Sequence, residues 1–375
     1  MKKFVYSAIA LSMATGVSYA NNGWTTLDQE ISGLSSSLTA QNAGGPKVGG
    51  WVITSVRSQG DAFSEEVDVD TDGDGIPDDT ETKFDDELGF NLDQVRLHVT
   101  GDVSNDYSYK VSFELESGSA ELKDAYIKWK LMDSISATMG QFYLPTFRSA
   151  TSDETKLLFL ERTVNGGLLN LRDQGIMVGG NFEMVNFGVA VQDGEDENAD
   201  ELRITLNVTA DVMGKGAGAV EGAYGAAEGT NLSVGGFYHM DDGAGTDGND
   251  VFGVEAYFTM GAIAVSGEFG DYDLVDGSAY SLTASYLFTE MYEVAVRFEN
   301  LQIDGVDFDD PSDGFNDAVD ADFLRVAVNR YSAGHNLKWT LQYSMIDSTV
   351  TDGDDGDDTD TSPDDEIALG LTLAF

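Results

Sequence analysis

The sharpest constellation able to do chemistry is Asp70-Thr71-Asp72-Gly73-Asp74-Gly75-Ile76-Pro77-Asp78-Asp79-Thr80-Glu81. Asp70, Asp72, Asp74, Asp78 and Glu81 occupy positions 1, 3, 5, 9 and 12 of a calcium loop. Gly75 stands at position 6, and the Ile76 carbonyl would serve position 7. A hard divalent cation needs several oxygens converging on one point, and Gly75 permits the sharp turn that brings them together. The competing reading is a solvated acidic loop. Asp352 to Asp358 has the acid density without the spacing and reads as such a loop. Calcium at 70–81 is the one ion the sequence suggests, and no cofactor is required.

Other chemistries are excluded by composition. The chain has no Cys, which removes disulfides, thiolate metal sites and Cys nucleophiles. Its three His, at 98, 239 and 335, sit in no catalytic motif, so no enzyme is expected. A net charge of −47 argues against nucleic acid as a partner, because phosphate contacts need a basic face.

The elements that must carry any site begin with a leader. Lys2 and Lys3 precede an apolar stretch from Phe4 to Ala14, and Ser18-Tyr19-Ala20 has the small-x-small cleavage pattern, so residues 1–20 read as a signal peptide. Residues 21–46 read as a periplasmic segment with a short amphipathic helix, since Leu27, Ile31, Leu34 and Leu38 recur at helical spacing. From 47 to 375 the chain is dominated by segments of about ten residues with period-two alternation. Tyr107, Tyr109, Val111, Phe113 and Leu115 alternate with Ser108, Lys110, Ser112, Glu114 and Glu116. Leu337, Trp339, Leu341 and Tyr343 alternate with Lys338, Thr340, Gln342 and Ser344, and Ile367, Leu369, Leu371, Leu373 and Phe375 close the chain.

Charged polar faces on many consecutive strands, aromatics near strand ends, and short connections alternating with long ones distinguish a membrane barrel from a soluble sandwich. The expected fold is all-β: a transmembrane antiparallel β-barrel of sixteen strands in the bacterial outer membrane, against outer-membrane lipid and lipopolysaccharide. Gly214 to Gly229, rich in Gly and Ala, reads either as a periplasmic connection or as a small-residue hairpin, leaving fourteen or eighteen strands open.

Charge is partitioned by position. Segments 61–87, 193–201, 241–250, 304–322 and 347–366 hold 41 of the 67 acidic residues and a single basic one, Lys83. All fall on the long-loop side, where their field concentrates cations. Arg96, Lys110, Lys128, Lys130, Arg203, Arg297, Arg325 and Lys338 instead fall on the polar parity of their strands. A charge facing lipid at mid-depth costs roughly 2–4 kcal/mol, so these residues are expected in the lumen, together with carboxylates such as Glu255, Glu268, Glu293 and Glu299.

Gly140-Gln141-Phe142, Pro145, Thr151-Ser152, Phe159-Leu160-Glu161-Arg162, Arg172-Asp173 and Gly175 follow a recognisable order, with Asp124-Ala125-Tyr126 upstream and Phe375 at the end. This block of about 40 residues resembles the phosphate-selective porin O and P family. The resemblance implies a sixteen-stranded trimeric outer-membrane channel whose third long loop, residues 145–171 here, folds inward as a constriction. It would place Arg148, Lys156 and Arg162 at that constriction, and would make the terminal aromatic a signal for the barrel-assembly machinery. Phosphate-selecting members carry dense basic rows, which this acidic chain lacks. Separately, 70–81 is similar to a thrombospondin type 3 calcium repeat.

The function read from the sequence is therefore a porin: passive diffusion of ions and small hydrophilic solutes, with the sign of selectivity open. The alternatives are a phosphate- or anion-selective porin and a calcium-dependent surface-binding barrel.

Overall fold

The computed structural model describes residues 45–69, 79–116, 119–194, 202–241, 250–273, 277–306, 317–351, 358–360 and 365–375. The leader 1–20, the helix within 21–44, and Asp70, Asp72, Asp74, Ile76 and Asp78 lie outside the described residues. Glu81 lies in a strand whose side chains there are likewise outside the description.

The strands are β1 (Lys47–Val69), β2 (Asp79–Asp102), β3 (Tyr107–Glu116), β4 (Ser119–Met132), β5 (Ile135–Tyr143), β6 (Arg172–Phe182), β7 (Val185–Gln192), β8 (Arg203–Met213), β9 (Thr230–Asp241), β10 (Val251–Met260), β11 (Ile263–Tyr272), β12 (Gly277–Thr289), β13 (Tyr292–Val306), β14 (Asp317–Tyr331), β15 (Leu337–Thr351), β16 (Asp358–Asp360) and β17 (Glu366–Ala374). β16 is a three-residue piece paired to the outer end of β15. The other sixteen each pair with their sequence neighbours, and β17 returns to β1, with Trp51 opposite Ala374 and Gln59 opposite Glu366. The sheet closes on itself and leaves no edge, as a strand structure in hydrocarbon requires. Phe375 completes the seam by exchanging backbone hydrogen bonds with Gly50.

Residues 214–229 form neither extra strand nor hairpin, so the count is sixteen. The strands also run further than a loop reading of the acidic segments predicts. β1 continues to Val69, β13 to Val306, and β14 begins at Asp317. Beyond the hydrocarbon both strand faces can meet water, so charged residues no longer oppose ladder pairing there.

Parity is obeyed on the outside. Ile127, Trp129, Leu206, Val208, Leu282, Val296, Leu341 and Leu369 are exposed and form the lipid-facing surface. The apolar clusters lie inside the barrel instead. Phe147, Ala150 and Leu169 of the 144–171 connection pack on Phe237, Val251, Tyr272 and Ala279 of the wall. Leu158 and Phe159 pack on Ala295 and Ala327. Small lumen-facing side chains on β12 to β14 thus make the floor on which the connection lies.

Candidate functional site

The constriction is built from its neck upward. β5 and β6 pair so that Gly140 faces Gly175, Phe142 faces Asp173 and Tyr143 faces Arg172. A Cβ on Gly140 would lie 2.2 Å from the Ala125 carbonyl oxygen, and the residue has φ of +124°. A Cβ on Gly175 would lie 2.2 Å from the Val191 carbonyl oxygen. Both positions therefore need glycine. Above them Arg172 stacks 3.7 Å over Tyr143 and pairs with Asp124 at 3.2 Å. Asp124 also pairs with Lys110 at 2.8 Å and accepts from the Ser112 hydroxyl.

From this neck residues 144–171 cross the lumen as two short helices, α1 (Arg148–Thr151) and α2 (Val164–Leu168), with a 3₁₀ turn at Glu154–Lys156 between them. Phe147 meets Phe237 edge to face at 4.7 Å. The loop's backbone N–H groups then donate to wall side chains in succession: Arg148 to Glu255 at 2.7 Å, Leu160 to Gln342 at 3.0 Å, and Val164 to Glu299 at 2.6 Å. Its carbonyls accept from wall side chains as well, Leu157 from Lys338 at 2.5 Å and Leu158 from Asn329 at 2.8 Å.

Three of the basic residues on lumen parity, Arg297, Lys338 and Arg96, serve this attachment. Arg297 is 0% exposed. It donates to Thr283 and to the Glu161 carbonyl, pairs with Glu221, and lies 4.2 Å over the Phe159 ring. Lys338, 2% exposed, spends its ammonium on the Leu157 carbonyl. Arg96 pairs with Glu114 at 2.6 Å and with Glu154 of the loop at 3.6 Å. Arg203 pairs with Asp241, and Arg325 with Glu299.

Of the three loop cations, Arg162 is 9% exposed and ties the loop to itself through Glu154 and the Ser149 and Ser152 carbonyls. Arg148 lies 4.1 Å over the Tyr257 ring and donates to the Gly218 and Val220 carbonyls. Lys156 is half-buried. A buried guanidinium or ammonium needs acceptors, and the crossing loop supplies carbonyls to Arg297 and Lys338.

Open space remains on both sides of the loop's first part. One cavity of about 670 Å³ is bounded by Tyr143, Pro145, Arg148 and Asp153, by Asn207, Thr209 and Asp211 of β8, and by Glu255, Tyr257 and Glu268. A second, about 590 Å³, is lined by Lys128, Lys130, Asp102, Asp106, Asp133, Asn181 and Asn186. The two share Pro145, Met177, Asn186 and Asn207, so they are continuous along the β6 to β8 wall. Lys128 and Lys130 are exposed there, and Lys130 pairs with Asp133 at 2.7 Å.

Three contributors escape a sequence reading. Arg57 holds Glu161 at 2.6 Å, Asp93 at 3.2 Å and Glu366 at 3.1 Å. Lys123 has outward parity, but a register shift after Ser112 lets it pair with Glu114 at 3.3 Å and Glu121 at 2.7 Å. Glu221 sits in the Gly and Ala run, where no periodicity marks it. Small side chains at Ala279, Ser281, Thr283 and Ser285 on the inner parity of β12 were the legible sign that something must lie on that floor.

The family model for phosphate-selective porin O and P matches residues 68–375. No curated protein matches the sequence. Among solved structures the chain is similar to OmpT of Vibrio cholerae in trimer form, with 16% identity over 89% of this chain and 100% of that one, at a TM-score of 0.55. It is similar to Pseudomonas putida OprB, with 10% identity over 92% and 97%, at 0.60. It is also similar to an anion-selective porin from Comamonas acidovorans, with 12% identity over 88% and 98%, at 0.54. These likenesses concern the fold; the family match covers most of the chain. With a closed sixteen-stranded barrel narrowed by an inward loop, the chain belongs to the phosphate-selective porin O and P family and is a bacterial outer-membrane porin channel.

Proposed function

We propose that this porin is a general diffusion channel for small hydrophilic solutes that favours cations. The observation that carries the reading is the lining of the larger cavity. Asp153, Asp211, Glu255 and Glu268 face it beside Glu221, which is paired with Arg297, against Arg148 as the one basic residue of the lining among the described residues. Glu255 and Glu268 are direct register partners on β10 and β11. The donors to them are neutral: the Arg148 backbone N–H, and the Ser149 and Thr163 hydroxyls at 2.9 and 2.8 Å. The acidic outer segments add to the same field. Transport would be passive and without chemistry. His98 packs beside Trp51, His239 bonds to Thr205, and His335 sits against Tyr224 and Tyr331, roles that support a channel over an enzyme.

An anion channel is the second reading, favoured by Lys110, Lys128 and Lys130 on adjacent strands, two of them on the smaller cavity. The reversal potential across a salt gradient in a planar bilayer decides. A cation sign supports the first reading, and an anion sign replaces it with the second.

The active unit in this proposal is a homotrimer, supported by the trimer form of a structural neighbour. It would sit in outer-membrane lipid and lipopolysaccharide after insertion by the barrel-assembly machinery. Native mass spectrometry in detergent should give three copies. Calcium at 70–81 belongs to the proposal on ligand spacing alone. Calorimetry on the wild type and on Asp72→Ala with Asp74→Ala should differ, and equal calcium heats would remove it.

A further inference from the structure

The connection between β8 and β9 does not stay at the rim. Residues Val220 to Ala223 are buried. Tyr257 donates to the Gly222 carbonyl at 3.0 Å, and Ala223 N–H donates to Glu293 at 2.6 Å. Tyr224 stacks on Tyr331 at 3.8 Å, and His335 bonds to the Tyr224 carbonyl at 3.2 Å. The segment therefore enters the barrel from the end opposite the acidic loops and meets the constriction loop inside.

The meeting is reciprocal. Arg148 of the loop donates to two carbonyls of the segment, those of Gly218 and Val220. Glu221 of the segment accepts from the loop's Leu158 N–H at 2.6 Å, while its own N–H donates to the Lys156 carbonyl at 3.3 Å. The other Glu221 oxygen takes the Arg297 guanidinium of β13. One carboxylate, 7% exposed, thus joins three elements that are far apart in sequence. It is the only charged residue between Gly216 and Ala227.

We infer that Glu221 is a positioning residue that sets the bore of the channel, because it fastens the inward periplasmic segment to the constriction loop as one continuous wall. The open space bounded by the described residues then lies beside that wall, continuous past Met177, Asn186 and Asn207. Without the carboxylate, the Leu158 N–H and the Arg297 guanidinium both lose a buried acceptor, and the segment keeps its hold on the loop only through Arg148 and the Glu221 backbone N–H. The inference rests on the porin reading and goes beyond it by making the narrow section a product of two segments entering from opposite ends.

The test compares wild type, Glu221→Ala, and a Lys156→Cys with Glu221→Cys pair, all in planar bilayers and in liposomes with sugars of graded size. The chain has no cysteine, so the engineered pair is unambiguous. Glu221→Ala should raise conductance roughly twofold and admit larger sugars, since conduction follows pore radius. The cysteine pair should behave like Glu221→Ala when reduced and like wild type once oxidised. A well-folded Glu221→Ala with wild-type conductance and size limit overturns the inference, as does a pair that forms no cross-link or whose cross-link changes nothing. A wild type that does not conduct would instead count against the porin reading itself.

Discussion

Arg57 of β1 and Glu161 of the constriction loop lie 2.6 Å apart, across more than a hundred residues of chain. Glu161 also accepts from the Gln342 amide at 2.7 Å. Burial alone would raise the Glu161 carboxyl, but Arg57 and Gln342 outweigh it and hold the group below the ordinary 4.5. A depressed carboxyl stabilises the fold fully above its unfolded value and loses that contribution as pH falls through the folded one. The loop should therefore stay anchored at neutral pH and loosen only below about pH 4.5. Single-channel records taken from about pH 7 to about pH 3 should show new closures at the acid end. In Glu161→Gln the fluctuations should be present throughout and lose this acid dependence.

The neck of the loop gives a second expectation. Gly140 and Gly175 face each other, and each would drive a Cβ into a neighbouring carbonyl. Gly140 adds a positive φ. Gly140→Ala should cost about 1–3 kcal/mol of strain. The cost falls where the loop leaves the wall. Heat-modifiability on gels should show a lower unfolding temperature, and an unchanged one would separate this glycine from the loop's geometry.

The lipid face is tested by one exchange. Leu369 of β17 is exposed on the outer face, in register with Val56 and Leu341 on its two neighbours. Leu369→Arg should cost about 2–4 kcal/mol in bilayers. Ser108→Arg, pointing into the water of the smaller cavity, should stay within about 0.5 kcal/mol. Urea unfolding in lipid would compare them, and equal costs would mean that the two faces had been assigned wrongly.

Strand parity carried much of the architecture, because a period of two directly encodes which face meets lipid. It therefore showed Arg297 and Lys338 on the inner side. It could not show that both are buried, because the Glu161 and Leu157 carbonyls that accept from them belong to a loop more than a hundred residues away. The Phe159 to Arg162 motif was visible as a pattern, but its job of tying loop to wall depends on Arg57, Arg297 and Gln342, none of which is near it in sequence. Lys123 was unreadable for a local reason: one register shift reverses the parity that the alternation implies. Glu221 was unreadable because a Gly and Ala run has no period, and its path is decided only by what it meets inside.

The carboxylate pair on β10 and β11 makes the sharpest claim about permeation. Like charges directly opposite on neighbouring strands repel, and this pair is kept without a cationic side chain bonding either carboxylate. Arg148, the nearest candidate, gives Glu255 only its backbone N–H and spends its guanidinium on the Gly218 and Val220 carbonyls. A passing cation therefore meets, in the larger cavity, two carboxylates whose charge, when ionised, no bonded cationic side chain offsets. Glu255→Gln with Glu268→Gln preserves size and much of the hydrogen bonding while removing that charge. The cation-to-anion permeability ratio should fall roughly twofold or more. Lys128→Gln with Lys130→Gln should move the ratio the other way, since those ammonium groups face the adjoining cavity. A reversal potential indifferent to the glutamates but sensitive to the lysines would place the selective step in the smaller cavity.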